Sequence, residues 1–545
     1  PADHGADVIF HNGIILTMDE DLSVAEALAV KDGRIVAVGS EADVFASAGA
    51  QTELISLDGR VLMPGFVDAH THLLNDAGTY GMDLDGVQQM ALENGITTLG
   101  GMFTTEEFLN EMQDYNAENR LRVHTNLYLI YNTNCGDIVG NWWKDYPPTR
   151  VPGEMLRIGG VKIFADGGSC NRPALSYETS PGSGLGDLYL TGEQIAEVVK
   201  DAQDVGHQVA IHALGDRAIE AALDGIESAL DGGPNKYRHR IEHNAILRPD
   251  LLPRYGELDV VATVFGTFPS CVDFKNPSPP PYNEWEWAWD TLLDANPDLH
   301  VAWHGDDPYI RPLNPVLELY GLVTRDFADD DRVTICEAKG WIGDNTLSVE
   351  QALPMMNRES AYALWRDGEV GMLEPGLFAD LIILSHNPMS VDPEILLDTY
   401  VLMTMVGGKV EWCAPGSETL CPATPISTFD RDAIPFGYLD SPAAEETISG
   451  IFTLFGWALV DGGPIDRVEI YLDGEYIGNA IYGDPRPDVA ADYPGREGEP
   501  NFGYSFELDT TLYSNGAHTL TAVAVGVSGN EGYLIPEVLD FIIGN

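Results

Sequence analysis

Val61-Leu62-Met63-Pro64-Gly65-Phe66-Val67-Asp68-Ala69-His70-Thr71-His72 is an apolar run that ends in two histidines one residue apart. Side chains at i and i+2 of a strand share a face, so both imidazoles point the same way from one strand end. That pair suits a single metal ion, and a metal-dependent enzyme is the first expectation. Four later apolar runs also end at or hold a candidate polar group. These are Gly160-Val161-Lys162-Ile163-Phe164-Ala165-Asp166-Gly167, Gln208-Val209-Ala210-Ile211-His212, Arg240-Ile241-Glu242-His243, and His300-Val301-Ala302-Trp303-His304-Gly305-Asp306.

From residue 61 onward, apolar runs alternate with helix-like stretches, the pattern of repeated βα units. Eight strands are predicted at 62–69, 95–103, 121–130, 158–165, 207–212, 238–243, 259–265 and 299–304, with helices such as 191–205 and 216–230 between them. Eight βα units predict an α/β fold of TIM type, a (β/α)8 barrel with its chemistry at the C-terminal strand ends. The barrel is assigned to 61–367. Short strands separated by Asn12-Gly13 and Asp32-Gly33 turns fill the region before it. Further strands follow it, and 1–60 with 368–424 is expected to form one composite β-sandwich. Residues 425–545 alternate as strands with turn signals and no helix-period stretch, which predicts a C-terminal immunoglobulin-like sandwich. Its 484–503 segment is expected to be a long loop.

The chain has 545 residues, 44% hydrophobic, with 86 acidic against 29 basic side chains and a formal charge of −57. Repulsion by phosphates argues against nucleic acid as a partner, and no run is long and apolar enough for membrane insertion. Cys413 and Cys421 flank a short Pro/Gly turn and are expected to form a disulfide. Cys135, Cys170, Cys271 and Cys336 are scattered and read as buried thiols. The chain opens Pro1-Ala2-Asp3 without methionine, which leaves room for a removed leader, and a secreted or periplasmic protein is expected.

These segments resemble the amidohydrolase superfamily, in the branch of metal-dependent hydrolases that includes N-substituted formamide deformylases. The matching elements are Pro64 to His72, Gly160 to Gly167, His212-Ala213-Leu214-Gly215-Asp216-Arg217-Ala218, Arg240 to His243, Gly305-Asp306-Asp307-Pro308, Leu347-Ser348-Val349-Glu350-Gln351-Ala352-Leu353 and Gly376-Leu377-Phe378-Ala379-Asp380-Leu381. The resemblance spans about residues 5–412. It implies that His70 and His72 hold a first metal, that His212 and His243 hold a second, and that a carbamylated Lys162 bridges the two. Asp306 would ligate the first metal and shuttle the proton. The usual ion of the family is zinc, so two divalent ions, Zn2+ foremost, are the implied cofactors. A metal-bridging hydroxide would cleave an amide-type C–N bond of a small N-acyl or N-formyl substrate. Relatives often pair, so the resemblance admits a homodimer.

Alternatives stay open at this level. A one-metal enzyme with Lys162 only hydrogen-bonded is one. The same machinery acting on esters, lactones or cyclic amides is another. A surface-attachment or interaction protein working through the C-terminal sandwich is a third. Where the branch often carries Ser-Asp before the strand-eight proline, this chain has Gly305-Asp306-Asp307, which makes Asp307 a rival of Asp306. Arg172, Trp303 and His304 are candidate substrate contacts. His124 and His207 read as core histidines, and Asp216 as a helix N-cap. The aromatic group Tyr282, Trp285, Trp287 and Trp289 either packs its loop down or covers the substrate.

Overall fold

The computed structural model of the chain describes residues 5–168, 170–266, 278–310, 313–338, 341–422, 435–444, 446–460, 465–492, 500–526, 531–534, 536 and 538–544. Eight strands pair in parallel and in chain order. They are Phe66–Thr71 (β1), Ile96–Thr104 (β2), His124–Ile130 (β3), Leu156–Phe164 (β4), Gln208–Ala213 (β5), Arg240–His243 (β6), Val261–Phe265 (β7) and Val301–His304 (β8). The sheet curls so that β8 meets β1. There the Gly305 N–H donates to the Asp68 carboxylate at 3.1 Å and the Asp306 N–H to the His70 carbonyl at 3.0 Å. This is the TIM-like barrel.

The predicted first strand at 62–69 is corrected. The apolar run divides at Pro64-Gly65. Proline donates no backbone hydrogen bond, and a Cβ on Gly65 would lie 2.3 Å from the Thr97 side chain. Val61–Pro64 pairs instead with Leu381–Leu384 and Ile14–Leu16 in a six-stranded sheet built from both flanks of the barrel. A four-stranded sheet from residues 8–56 faces it. Phe10, Leu28, Val30, Leu62, Leu381 and Met403 are among the buried side chains that close the core of this part.

Helices cover the barrel where their caps permit. Thr191 and Gln194 form a capping box at the start of Gly192–Asp204. The next helix, Asp216–Leu230, begins one residue earlier than an Asp216 cap would require. Gly215 is the N-cap, because a Cβ there would stand 1.9 Å from the Ala174 carbonyl oxygen. Asp216 is buried in the first turn, where it accepts the Ser176 N–H at 2.8 Å and pairs with Arg248 at 3.3 Å. Helices Val349–Met355 and Arg358–Ala363 lie near the N-terminal strand ends. Asn357 there donates to the Gly65 carbonyl at 2.8 Å, and Arg366 to Asn126 at 2.6 Å.

The described chain divides into two compact units, one of Pro1–Arg150 and Glu154–Ile426, the other of Ser427–Asn545 with Val151–Gly153. The second is a β-rich, immunoglobulin-like unit whose described strands run from Phe436–Ser441 to Leu539–Ile543. Leu454, Val468, Ile470, Tyr504, Leu520 and Phe541 lie in its core. The expected loop at 484–503 contains a short helix, Pro487–Asp492.

Cys413 and Cys421 are joined, with an S–S distance of 2.00 Å. The reading of the other cysteines as thiols is corrected. Cys135 and Cys170 form a disulfide, because the loops that follow the neighbouring strands β3 and β4 meet. Cys336 is also disulfide-bonded. Cys271 lies outside the described residues.

Gly160 fixes the spacing of β4 against its neighbours. A Cβ there would lie 2.4 Å from the Gln208 carbonyl oxygen and 3.0 Å from the Tyr128 ring. Gly160→Ala is expected to destabilise the barrel by about 1–3 kcal/mol. A thermal or urea unfolding comparison with the parent chain measures it, and unchanged stability would refute the packing account.

Candidate active site

Strand alternation brings the polar groups of several strands to one end of the barrel. His70 on β1, Lys162 on β4 and His212 on β5 all turn inward and are buried. His72 follows just beyond β1. His243 ends β6 with a left-handed backbone, φ 76°, and Asp306 follows β8 with φ 57°. The imidazole centroids of His70 and His72 are 5.4 Å apart, those of His70 and His243 4.7 Å, and those of His212 and His243 4.6 Å. Asp306 Oδ1 lies 3.4 Å from the Nε2 atoms of both His70 and His72. Lys162 Nζ is 3.4 Å from His70 Nε2. All six candidate ligands therefore meet. Five of them, without Lys162, line a cavity of about 280 Å³ together with Asp76, Phe103, Asn134, Phe164 and Tyr309 among the described residues.

Buried neighbours orient these groups. His70 Nδ1 lies 2.7 Å from Glu242 Oε2, which leaves Nε2 facing the cavity. Glu242 also accepts the Thr263 hydroxyl at 2.9 Å and pairs with Arg240 at 2.7 Å. Asp68 takes the His70 N–H at 3.1 Å as well as that of Gly305. Asp166 accepts three backbone N–H groups, from Ala174, Leu214 and Gly215, and so shapes the loops beside His212. Glu242, Asp68 and Asp166 were quoted within the sequence motifs without a role. Their signal is position, each being a carboxylate within two residues of a candidate ligand or in the same loop.

Burial sets the protonation states. Loss of hydration pushes the His72 and His212 imidazoles down to about 3, and those of His70 and His243 well below their ordinary range. Neutral imidazole is the form that ligates a metal. Burial also lowers the Lys162 ammonium, against the opposing pull of Glu242 and Asp306, and raises Asp306. Two sets of side chains place one ligand atom each within 4.8 Å of one another: His70, His72 and Asp306, and His70, His243 and His304.

The rivalry between Asp306 and Asp307 resolves on position. Asp307 is buried behind the site, with its carboxylate 3.4 Å from the Tyr80 hydroxyl and its carbonyl taking the His72 N–H at 2.8 Å. Two candidate substrate contacts are corrected. Arg172 is exposed, and its guanidinium donates to the Ser183 carbonyl and the Thr179 hydroxyl, outside the cavity lining. Trp303 alternates outward from β8 and packs against Glu318, its Nε1 3.4 Å from that carboxylate. His304 faces inward, fully buried, its ring 4.9 Å from those of both His70 and His243. The aromatic group packs its loop down. Tyr282 stacks on Tyr177 at 3.9 Å, Trp285 meets both edge-on, and Trp287 and Trp289 are buried against Phe265. His124 is a core histidine between Arg366 and Asp380, and His207 packs on Trp143.

The family model described as amidohydrolase family matches residues 84–411, more than half of the chain, and one described as bacterial Ig domain matches 435–522. Protein LONG AFTER FAR-RED 3 of Arabidopsis thaliana is 25% identical over 75% of this chain and 92% of its own length. N-substituted formamide deformylase of Arthrobacter pascens is 39% identical, over 12% of each chain. An uncharacterized metal-dependent hydrolase from Pyrococcus furiosus shares the fold with a TM-score of 0.58 at 21% identity, covering 70% of this chain and all of that one. With a matching family model over most of the barrel, the chain belongs to the amidohydrolase family, as a hydrolase acting on C–N bonds.

Proposed function

We propose that this chain is a metal-dependent hydrolase that cleaves the amide-type bond of a small N-acyl or N-formyl substrate, with His70, His72, Lys162, His212, His243 and Asp306 around two divalent ions, zinc foremost. The observation that carries this reading is the convergence of those six side chains, from five strand ends, on one buried mouth. The donor chemistry fits a cation. The imidazoles are neutral, and His243 Nδ1 and Asp306 Oδ1 are buried with no hydrogen-bond partner among the described residues. Divalent ions held by these residues would acidify a water and polarise the substrate carbonyl.

The residues do the rest. An ammonium at Lys162, buried beside four imidazoles, would repel a cation. Its neutral amine adds to carbon dioxide, forming an N–C bond and losing a proton, and the resulting carbamate supplies two anionic oxygens. Asp306, open to the cavity and adjacent to His70 and His72, takes the proton from the attacking water. It then returns that proton to the departing nitrogen, so that amine and carboxylate leave as separate products. Phe103, Phe164 and Tyr309 line the same cavity and would bound a substrate held there. The cystine pairs Cys135–Cys170 and Cys413–Cys421 support a working place in an oxidising compartment, secreted or periplasmic.

Chelator treatment is expected to abolish hydrolysis of a responsive N-formyl or N-acyl amide. Recovery should need both zinc and bicarbonate; full activity in the stripped protein would end the proposal. Asp306→Asn is expected to lower kcat by about 10²–10⁴-fold with the fold intact, the range for a lost proton-transfer group. Steady-state kinetics beside circular dichroism reads this, and a fall below tenfold would remove Asp306 as the shuttle. Glu242→Gln should weaken zinc binding by about 10–100-fold through the freed His70 ring. Competition with a fluorescent chelator measures it, and native affinity would show that His70 needs no orienting carboxylate.

A further inference from the structure

The cavity carries a carboxylate that the proposed reaction does not use. Asp76 follows β1, its N–H bonded to the His72 carbonyl at 2.9 Å, and it lines the same cavity as the candidate ligands without being one of them. Two neutral groups hold it. The Tyr309 hydroxyl and the Asn75 side-chain amide each donate at 2.8 Å, and both reach Oδ2. Seating Tyr309 therefore accounts for one oxygen, and Oδ1 accepts no hydrogen bond among the described residues. The rest of the lining favours the same kind of ligand. No arginine or lysine is among its described residues. Arg172, expected to meet a substrate carboxylate, bonds instead to the Ser183 carbonyl and the Thr179 hydroxyl. Phe103, Phe164 and Tyr309 supply aromatic rings, which attract an ammonium and cover an alkyl spacer but offer a carboxylate nothing. The formal charge of −57 acts in the same sense at longer range, drawing cations and repelling anions. Divalent ions in the proposed centre would repel a substrate cation, which puts the seat for one at a carboxylate outside the ligand set. Tyr309 also ties Asp76 to the turn of the proton shuttle, because its N–H bonds to the Asp306 carbonyl at 3.0 Å while its hydroxyl bonds to Asp76. Asp76 thus stands on the side from which Asp306 serves the departing nitrogen.

We infer that Asp76 is a specificity-determining residue that seats a cationic group, an ammonium or guanidinium, on the amine portion of the substrate. The inference rests on the hydrolase reading above and narrows its substrates to N-acyl or N-formyl amides of basic amines. Amides that carry a carboxylate at that end are disfavoured.

Three matched formamides test it on the full-length chain loaded with zinc and bicarbonate: N-formylputrescine, N-formylpentylamine and N-formyl-δ-aminovalerate. They differ only at the far end, which is an ammonium, a methyl or a carboxylate. In the parent, kcat/KM should favour the ammonium over the methyl by at least about tenfold, the worth of one hydrogen bond to a charged group, and the methyl over the carboxylate. Asp76→Asn keeps an acceptor for Tyr309 and removes the charge, so it should collapse the ammonium-to-methyl ratio, chiefly through KM. Asp76→Lys should reverse the order of ammonium and carboxylate. Should Asp76→Asn not fold by circular dichroism, Asp76→Ser takes its place, and the parent's own ranking needs no variant. Equal rates in the parent, or a ratio that survives loss of the charge, overturn the inference, while turnover of any of the three leaves the hydrolase reading standing. If none is turned over, the hydrolase reading is what fails, and calorimetry then decides the inference. Tighter binding of N-formylputrescine by the parent, lost in Asp76→Asn, supports the cation seat; equal binding of the three overturns it.

Discussion

The contact between His70 and Glu242 is the one on which the site depends. Both side chains are buried at the barrel axis, 2.7 Å apart. A lone carboxylate there would be prohibitively desolvated. Glu242 is held by Arg240 and the Thr263 hydroxyl, and Arg240 in turn donates to the Ala69 carbonyl at 2.7 Å and the Ala363 carbonyl at 3.3 Å. One charged network thus links β1, β6, β7 and the helix at the N-terminal end. Where many barrels fill this space with apolar layers, this chain spends part of it on a fixed tautomer. His70 Nδ1 is committed to Glu242, so Nε2 is committed to the mouth, within 3.4 Å of both Lys162 and Asp306.

Much of this was legible in the chain because strand alternation is local. A His-x-His pair on one strand end, Lys162 within an apolar run and His212 at the end of another each carry their orientation in their spacing. Asp306 and Asp307 both precede Pro308 and stayed rivals until the folded strand end put Asp306 beside His70 and His72 and Asp307 beside Tyr80. What escaped needed contacts between distant segments. The cystine Cys135–Cys170 joins two loops that are neighbours only because β3 and β4 are. Val61–Pro64 reads as barrel until its partner, Leu381–Leu384, is known, and that partner lies some three hundred residues on. Arg172 looked available because its acceptors, on a loop ending at Ser183, carry no sequence mark. Trp303 is a different kind of miss. Alternation alone, applied to the inward His304, would have turned it away from the substrate.

Glu242 and His243 expose the limit of alternation itself. In a regular strand, successive residues face opposite sides, so Glu242 pointing in would send His243 out. The backbone departs from the strand instead. His243 adopts φ 76° and Asn244 φ 51°, a conformation costing about 1–2 kcal/mol per residue outside glycine. Asn244 offsets that cost. Its N–H bonds to the Glu242 carbonyl at 3.0 Å, its side-chain amide donates to the carbonyls of Ile241 and Thr263 at 2.8 and 2.9 Å, and its oxygen accepts the Tyr255 hydroxyl at 2.5 Å. β6 therefore supplies two inward groups from consecutive residues, one to orient His70 and one to reach the cavity. The same device recurs after β8, where Asp306 turns at φ 57° while its N–H crosses the seam to His70. Strained backbone at both strand ends raises the density of donors above what a regular strand permits. The hydrogen bonds of Asn244 and of the Asp306 N–H hold those two turns from within the protein.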